Sequence, residues 1–328
     1  MGANFRMSLR IVVSLVFLAF WAQAPEQANR TDADAQAKAA AALHARIEAT
    51  PELPFHAVAL AAKPRSPDWE SGIVSWVAVD DKGAIYEIQR GDKADPVLVL
   101  DRQGNVLRSW GKGDYKIPHS IRVDRAGNVW TVDAASSTVI KYSPRGTKLM
   151  TITVGGQPDN GSPFSGTTDI AFGPKGRLFI TDGYGNARIL EYSAKGRKVK
   201  EWGRRGARPG EFSLPHAIQI DEKGTIYVAD RENGRIEKFD VDGNYVGEIS
   251  HLGRVFAVKV TADALWATIQ AHDQPVTSGG WIMKLDRKTG KIVGHLDVPE
   301  FGGHSIEVTR SGEPITTLGN ELLWFKAS

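Results

Sequence analysis

The chain has 328 residues, 41% of them hydrophobic and 24% charged, so it carries enough apolar material for one large core or two smaller ones. Its 41 Lys and Arg against 38 Asp and Glu give a net charge of +3 with no long block of one sign, which excludes a clustered basic footprint for nucleic acid. The absence of cysteine excludes disulfides and thiolate metal sites, while 34 Gly and 9 Trp suit a turn-rich fold with large packing anchors.

At the N-terminus, Arg6 and Arg10 precede the apolar run Ile11 to Trp21, followed by Ala22-Gln23-Ala24. That order of charge, apolar run and small residues reads as a secretory signal over residues 1–24, and Pro25 beside the cleavage pattern leaves an uncleaved anchor as the alternative. The run is short for a membrane span, so any membrane contact is expected through this segment alone, in a periplasmic or secreted protein. Residues 25–54 are Ala-rich up to Thr50 and stopped by Pro51 and Pro54, which predicts an exposed, partly helical tether.

From about Gly72 the pattern changes to short alternating runs broken by Gly, Asp and Asn. The stretch Pro118 to Met150 reads as strand, Asp-x-x-Gly turn, strand, Asp-led loop, strand, turn, strand. It recurs at Thr167 to Trp202, Pro215 to Ile249 and Ser75 to Trp110, more weakly at Val255 to Leu296, and at Gly303 to Lys326. Six such units predict an all-β, six-bladed β-propeller over residues 55–328, because a four-stranded blade buries both faces only by stacking into a ring. The sixth unit is short of an outer strand, and residues around His56 to Leu60 are expected to supply it.

Three of the eight histidines fall on one repeat position, His216 standing 97 residues and His304 185 residues after His119. These are units two, four and six, so the three imidazoles should converge about 120° apart on the channel axis. Units one, three and five carry Ser75, Thr168 and approximately Phe256 there. Three neutral imidazoles with an open fourth position form a catalytic zinc sphere, although imidazole also suits nickel, copper and iron. A second repeat position places Arg90 and Arg231 in loops of units one and four, with Tyr184 adjacent to it in unit three. Two guanidiniums beside a phenol favour phenolate and can clamp a carboxylate, so these three are candidate catalytic residues.

The strings "TDGYGNAR" (Thr181 to Arg188), "RPGEFSLPHAIQI" (Arg208 to Ile220) and "ADRENGRI" (Ala229 to Ile236) closely resemble the peptidyl-α-hydroxyglycine α-amidating lyase family, six-bladed propellers built of NHL repeats. The resemblance runs from about Gly72 to the end of the chain. It implies His119, His216 and His304 as zinc ligands, Tyr184 as base, and Arg90 and Arg231 as partners of the substrate carboxylate and of the tyrosine. It also implies a structural calcium at the carbonyls of Val77 and Ile121 and at an Asp after the third histidine, where this chain has Ser305. The implied reaction converts a peptidyl-α-hydroxyglycine to a peptide amide and glyoxylate, with a separate monooxygenase supplying the substrate. Two other readings stay open: a propeller that binds a partner without chemistry, and a related metal-dependent lyase or hydrolase for another hydroxy acid.

Overall fold

The computed structural model describes residues 30–158 and 161–328, so the expected signal segment lies outside the described residues. Among the described residues, twenty-four strands form six antiparallel four-stranded sheets. Blade 1 holds β2 to β5 (Val74–Val79, Ile85–Gln89, Val97–Leu100, Val106–Trp110) and blade 2 holds β6 to β9 (Pro118–Val123, Val129–Asp133, Thr138–Tyr142, Lys148–Thr153). Blade 3 holds β10 to β13 (Asp169–Phe172, Leu178–Asp182, Arg188–Tyr192, Lys198–Trp202) and blade 4 holds β14 to β17 (Pro215–Ile220, Ile226–Asp230, Arg235–Phe239, Tyr245–Ile249). Blade 5 holds β18 to β21 (Arg254–Val260, Leu265–Gln270, Gly280–Leu285, Ile292–Val298), four full strands despite its weaker repeat signal. Blade 6 holds β22 to β24 (Gly302–Val308, Pro314–Leu318, Glu321–Ala327). Its fourth strand is β1 (Phe55–Leu60), which pairs with β24 from Phe55 opposite Ala327 to Leu60 opposite Leu322.

That last pairing joins the two ends of the propeller inside one sheet and removes the free edge that β24 would otherwise present. The innermost strands meet in ring order, and β22 against β2 closes the circle. Apolar faces between blades form the core: Ile121, Val129 and Tyr142 pack with Trp76, Ile88 and Val97 of blade 1, while Trp130 and Val139 pack with Ile170 and Leu190 of blade 3. Asp-led turns set the strand register. In blade 2, Asp124 accepts the amides of Ala126 and Asn128, each at 2.9 Å, and Gly127 takes the left-handed conformation the turn needs (φ 79°).

The Ala-rich stretch is helical, α1 (Arg30–Glu48), but it is not an exposed tether. Ala40, Leu43 and Ile47 are buried and face the propeller, Arg46 donates to the carbonyl of His251, and the His44 ring meets the edge of Trp281. The spacing of those three apolar residues puts them on one stripe, which blade 5 covers. No helix among the described residues is long and apolar enough to cross a membrane.

Candidate metal centre and active site

The innermost strands carry the three histidines through a shared irregularity. The pairing of β6 with β7 shifts between Pro118 and Ser120, that of β14 with β15 between Pro215 and Ala217, and that of β22 with β23 between Gly302 and Ile306. His119, His216 and His304 therefore sit at bulges, where the extra residue leaves the alternation and its side chain is re-aimed. Gly303, at φ 84°, supplies the left-handed turn just ahead of His304.

The three imidazoles converge. Their ring centroids lie 4.8 to 5.0 Å apart and one nitrogen from each lies within 4.8 Å of the others. Each Nδ1 donates to a backbone carbonyl of the next odd-numbered blade: His119 to Thr168 at 2.6 Å, His216 to Phe256 at 2.5 Å, and His304 to Ser75 at 2.8 Å. A carbonyl only accepts, so each ring carries its proton on Nδ1 and keeps Nε2 as the ligand atom. Burial pulls all three pKa values down, His304 to about 3, and neighbouring positive charge adds to the effect. The rings are neutral at physiological pH, so no proton competes with a cation for the three nitrogens. The donor set fits a metal of the tetrahedral, nitrogen-ligated kind, and the carbonyls of Ser75, Thr168 and Phe256 are the supporting shell. The repeat alignment had marked those three positions only as places without histidine.

Tyr184 stands against this cluster. Its hydroxyl lies 3.0 Å from His119 Nε2 and 3.3 Å from His216 Nε2. The second strands of blades 1, 3 and 4 end in Gln89, Asp182 and Asp230, whose buried side chains pin the loops that follow. Gln89 accepts the amide of Gly72 and donates to the carbonyls of Ala94 and Asp95, Asp182 holds Asn186 and Arg188, and Asp230 accepts the amide of Ser213 and holds Asn233. Arg90, Tyr184 and Arg231 follow directly on these anchors. Gly183 lets the tyrosine loop approach blade 4, since a Cβ there would stand 2.2 Å from the carbonyl of Pro215.

Arg90 donates to the carbonyl of Pro118 at 2.9 Å and to the Ser75 hydroxyl at 2.8 Å. Arg231 pairs with Glu232 at 2.7 Å and lies over the Phe256 ring, and Glu232 also pairs with Arg254. Both arginines lower the Tyr184 pKa, Arg231 also through a hydrogen bond, but burial outweighs them and holds the phenol above its ordinary value. The arginines pull towards the phenolate, as the residue types suggested, while the desolvation of a half-buried phenol is the larger effect.

Two further aromatics complete the site. Phe164 packs 5.2 Å from the Tyr184 ring and under the Arg90 guanidinium, which gives the loop before β10 a part in shaping the mouth. Trp76 is fully buried and lies 5.7 to 6.1 Å from all three imidazoles, forming the floor beneath them. The aligned positions in the other blades are Ser120, Asp169, Ala217, Ala257 and Ser305, so its size alone set it apart in the sequence. His272 lies outside the triad and donates to the Glu232 carbonyl at 3.1 Å.

Comparison with known proteins agrees with this architecture. A family model described as a 6-bladed beta-propeller, DUF5128, matches residues 165–322. The mouse peptidyl-glycine alpha-amidating monooxygenase is 31% identical over 288 residues, 74% of this chain and 29% of its own length, so the chain spans less than a third of that relative. A probable peptidyl-alpha-hydroxyglycine alpha-amidating lyase of Caenorhabditis elegans is 27% identical over 69% of this chain and 74% of its own. The human NHL repeat-containing protein 3 is 32% identical over 74% of this chain and 81% of its own. A solved streptogramin B lyase shares the fold at a TM-score of 0.61 and 17% identity, over 84% of this chain and 98% of that one. With the repeat, the ring closure and these relatives in agreement, the chain belongs to the six-bladed NHL-repeat propellers, and its homologues include proteins named peptidyl-α-hydroxyglycine α-amidating lyases.

Proposed function

We propose that the protein is a zinc-dependent lyase that cleaves the C–N bond of a peptidyl-α-hydroxyglycine and releases a peptide amide and glyoxylate. The observation that carries this reading is the position of the Tyr184 hydroxyl between His119 and His216, at a mouth flanked by Arg90 and Arg231. One residue for proton movement, two cations for a carboxylate and three neutral imidazoles for a metal meet within one opening.

The substrate's carboxylate is held by Arg90 and Arg231, whose guanidiniums suit a planar anion better than a lysine would. A divalent ion on the three imidazoles supplies Lewis acidity to a substrate oxygen and a positive charge that opposes the burial of the Tyr184 phenol. Tyr184 holds the proton that leaves the substrate hydroxyl. As phenolate, Tyr184 would take that proton while the C–O bond becomes a carbonyl and the C–N bond breaks, and the same proton would then pass from the phenol to the departing amide nitrogen, which restores the phenolate. Trp76 closes the floor, so the reacting carbon is approached from the mouth alone.

Such an enzyme needs a hydroxylated peptide, which a separate monooxygenase would have to supply, and the name of the mouse relative supports that pairing. The N-terminal charge and apolar pattern supports a site of action outside the cytoplasm. A second reading, a partner-binding propeller without chemistry, draws on the human relative being named for its repeats alone. The test is incubation of the purified chain with zinc and a short peptidyl-α-hydroxyglycine. Glyoxylate and peptide amide in equal amounts are expected. No glyoxylate above the uncatalysed rate would remove the lyase reading.

A further inference from the structure

Below Trp76 the channel is filled by a charged pair rather than left open for a cation. Arg122 on β6 makes a two-pronged contact with Asp169 on β10, Nε to Oδ1 at 3.0 Å and Nη2 to Oδ2 at 2.5 Å. Both side chains are almost wholly buried, at 5% and 0% exposure. The guanidinium also lies 5.0 Å from the centre of the Trp76 ring in blade 1, and Asp169 accepts the amide of Ile218 in blade 4 at 3.1 Å. One ion pair thus touches four of the six blades.

The groups that the family resemblance offered for a calcium do not fit one. Ser305 brings no charge, and its hydroxyl accepts the amide of Val77 at 3.2 Å. That contact repeats the one between Asp169 and Ile218, because Val77 and Ile218 share a repeat position, as do Ser305 and Asp169. Of the six residues at this repeat position, Trp76, Ser120, Asp169, Ala217, Ala257 and Ser305, Asp169 alone carries a carboxylate, and it is already neutralised by Arg122. A second pair, Lys259 with Glu307, occupies the repeat position of Arg122 in blades 5 and 6. Calcium takes six to eight oxygens, several of them anionic, and the buried Arg122 guanidinium under Trp76 adds a repulsive charge.

We propose that the Arg122–Asp169 pair, capped by Trp76, is the resident charge of the lower channel and the clasp between blades, and that this protein needs no structural calcium at Val77 and Ile121. The inference is independent of the lyase reading, since it concerns stability and not turnover.

The test is thermal unfolding of the full chain at a fixed zinc concentration, in calcium-free buffer and across a calcium titration, together with elemental analysis after gel filtration. The midpoint is expected to change by less than about 1 °C between the two conditions, because a ligand that does not bind the native state does not shift it. Calcium should be absent from the gel-filtered protein. A saturable rise of the midpoint with calcium, or one calcium retained per chain, would overturn the proposal. The clasp is read separately by a double variant. Arg122→Met should lower the midpoint by leaving Asp169 charged and unpaired, and adding Asp169→Asn should recover part of that loss. If Asp169→Asn instead worsens Arg122→Met, the pair is not the clasp. If Arg122→Met does not fold, the calcium titration of the unmodified chain still decides the first point.

Discussion

His304 donates from its Nδ1 to the backbone carbonyl of Ser75 at 2.8 Å, across 229 residues of sequence and across the seam where blade 6 meets blade 1. The histidine cluster is thus completed only when the ring is closed. β1 closes that ring from the outside, by pairing with β24, while this bond closes it from within. Loosening the outer closure should therefore reach the metal. Leu60 is buried against Leu322 and Trp324, and Leu60→Ala is expected to cost about 2–4 kcal/mol of stability and to weaken metal binding in parallel. Urea unfolding followed with and without zinc checks both; an unchanged stability would show that the seam does not depend on β1.

Tyr184→Phe removes the hydroxyl that touches His119 and His216 and leaves the ring against Phe164. Glyoxylate release should fall by at least about 100-fold while the zinc content stays the same, the usual scale for removing a proton-transfer group. Loss of zinc together with activity would instead make the tyrosine a support of the metal.

Arg90 holds Ser75 and the carbonyl of Pro118 as well as facing the mouth, and Arg90→Lys keeps the charge but not the planar fork. The expected outcome is a loss of about 10-fold or more in kcat/KM, carried mainly by KM, since a bidentate carboxylate contact is lost. A fall in kcat alone would assign Arg90 to the proton step.

Glu87 on β3 is buried in the apolar face between blades 1 and 6, and burial pushes its carboxyl up to about 8, a shift that the Ser71 hydroxyl only partly offsets. Its folded pKa is raised above the unfolded one, so the unfolded chain releases this proton first as pH rises. Stability should fall between about pH 4.5 and 8, at no more than about 1.4 kcal/mol per pH unit, and level off above that. Glu87→Gln removes the dependence, so the variant should gain on the native chain across that window. A constant difference between pH 5 and 8 would show that Glu87 is already ionised in the folded protein.

Much of this site was legible in the sequence because the repeat is a ruler. A shared repeat position, at offsets of 97 and 185 residues, placed His119, His216 and His304 on alternate blades, and the neighbouring register placed Arg90, Tyr184 and Arg231 in loops above them. The carbonyl acceptors at Thr168, Phe256 and Ser75 were not legible, since a backbone oxygen carries no residue signal. Trp76 was visible as a large residue at a repeat position that is mostly small elsewhere, and Arg122 as a charge at the position of Lys259 and Glu307, and the emphasis on shared residues passed over them. Residue types gave the pull of the arginines on Tyr184 but not the opposing effect of burial, because charge partners can be read from a string of letters and burial cannot. In α1, Ala40, Leu43 and Ile47 do form an apolar stripe, but one so thin within an Ala-rich run that the segment read as exposed.

The most direct test of the central claim is zinc content and glyoxylate release measured together on the native chain and on His216→Ala. About one zinc per chain, with glyoxylate formed from a peptidyl-α-hydroxyglycine and both lost in the variant, is the predicted result for a three-imidazole site. A native chain that releases glyoxylate without bound metal, or a variant that keeps both properties, would contradict the account.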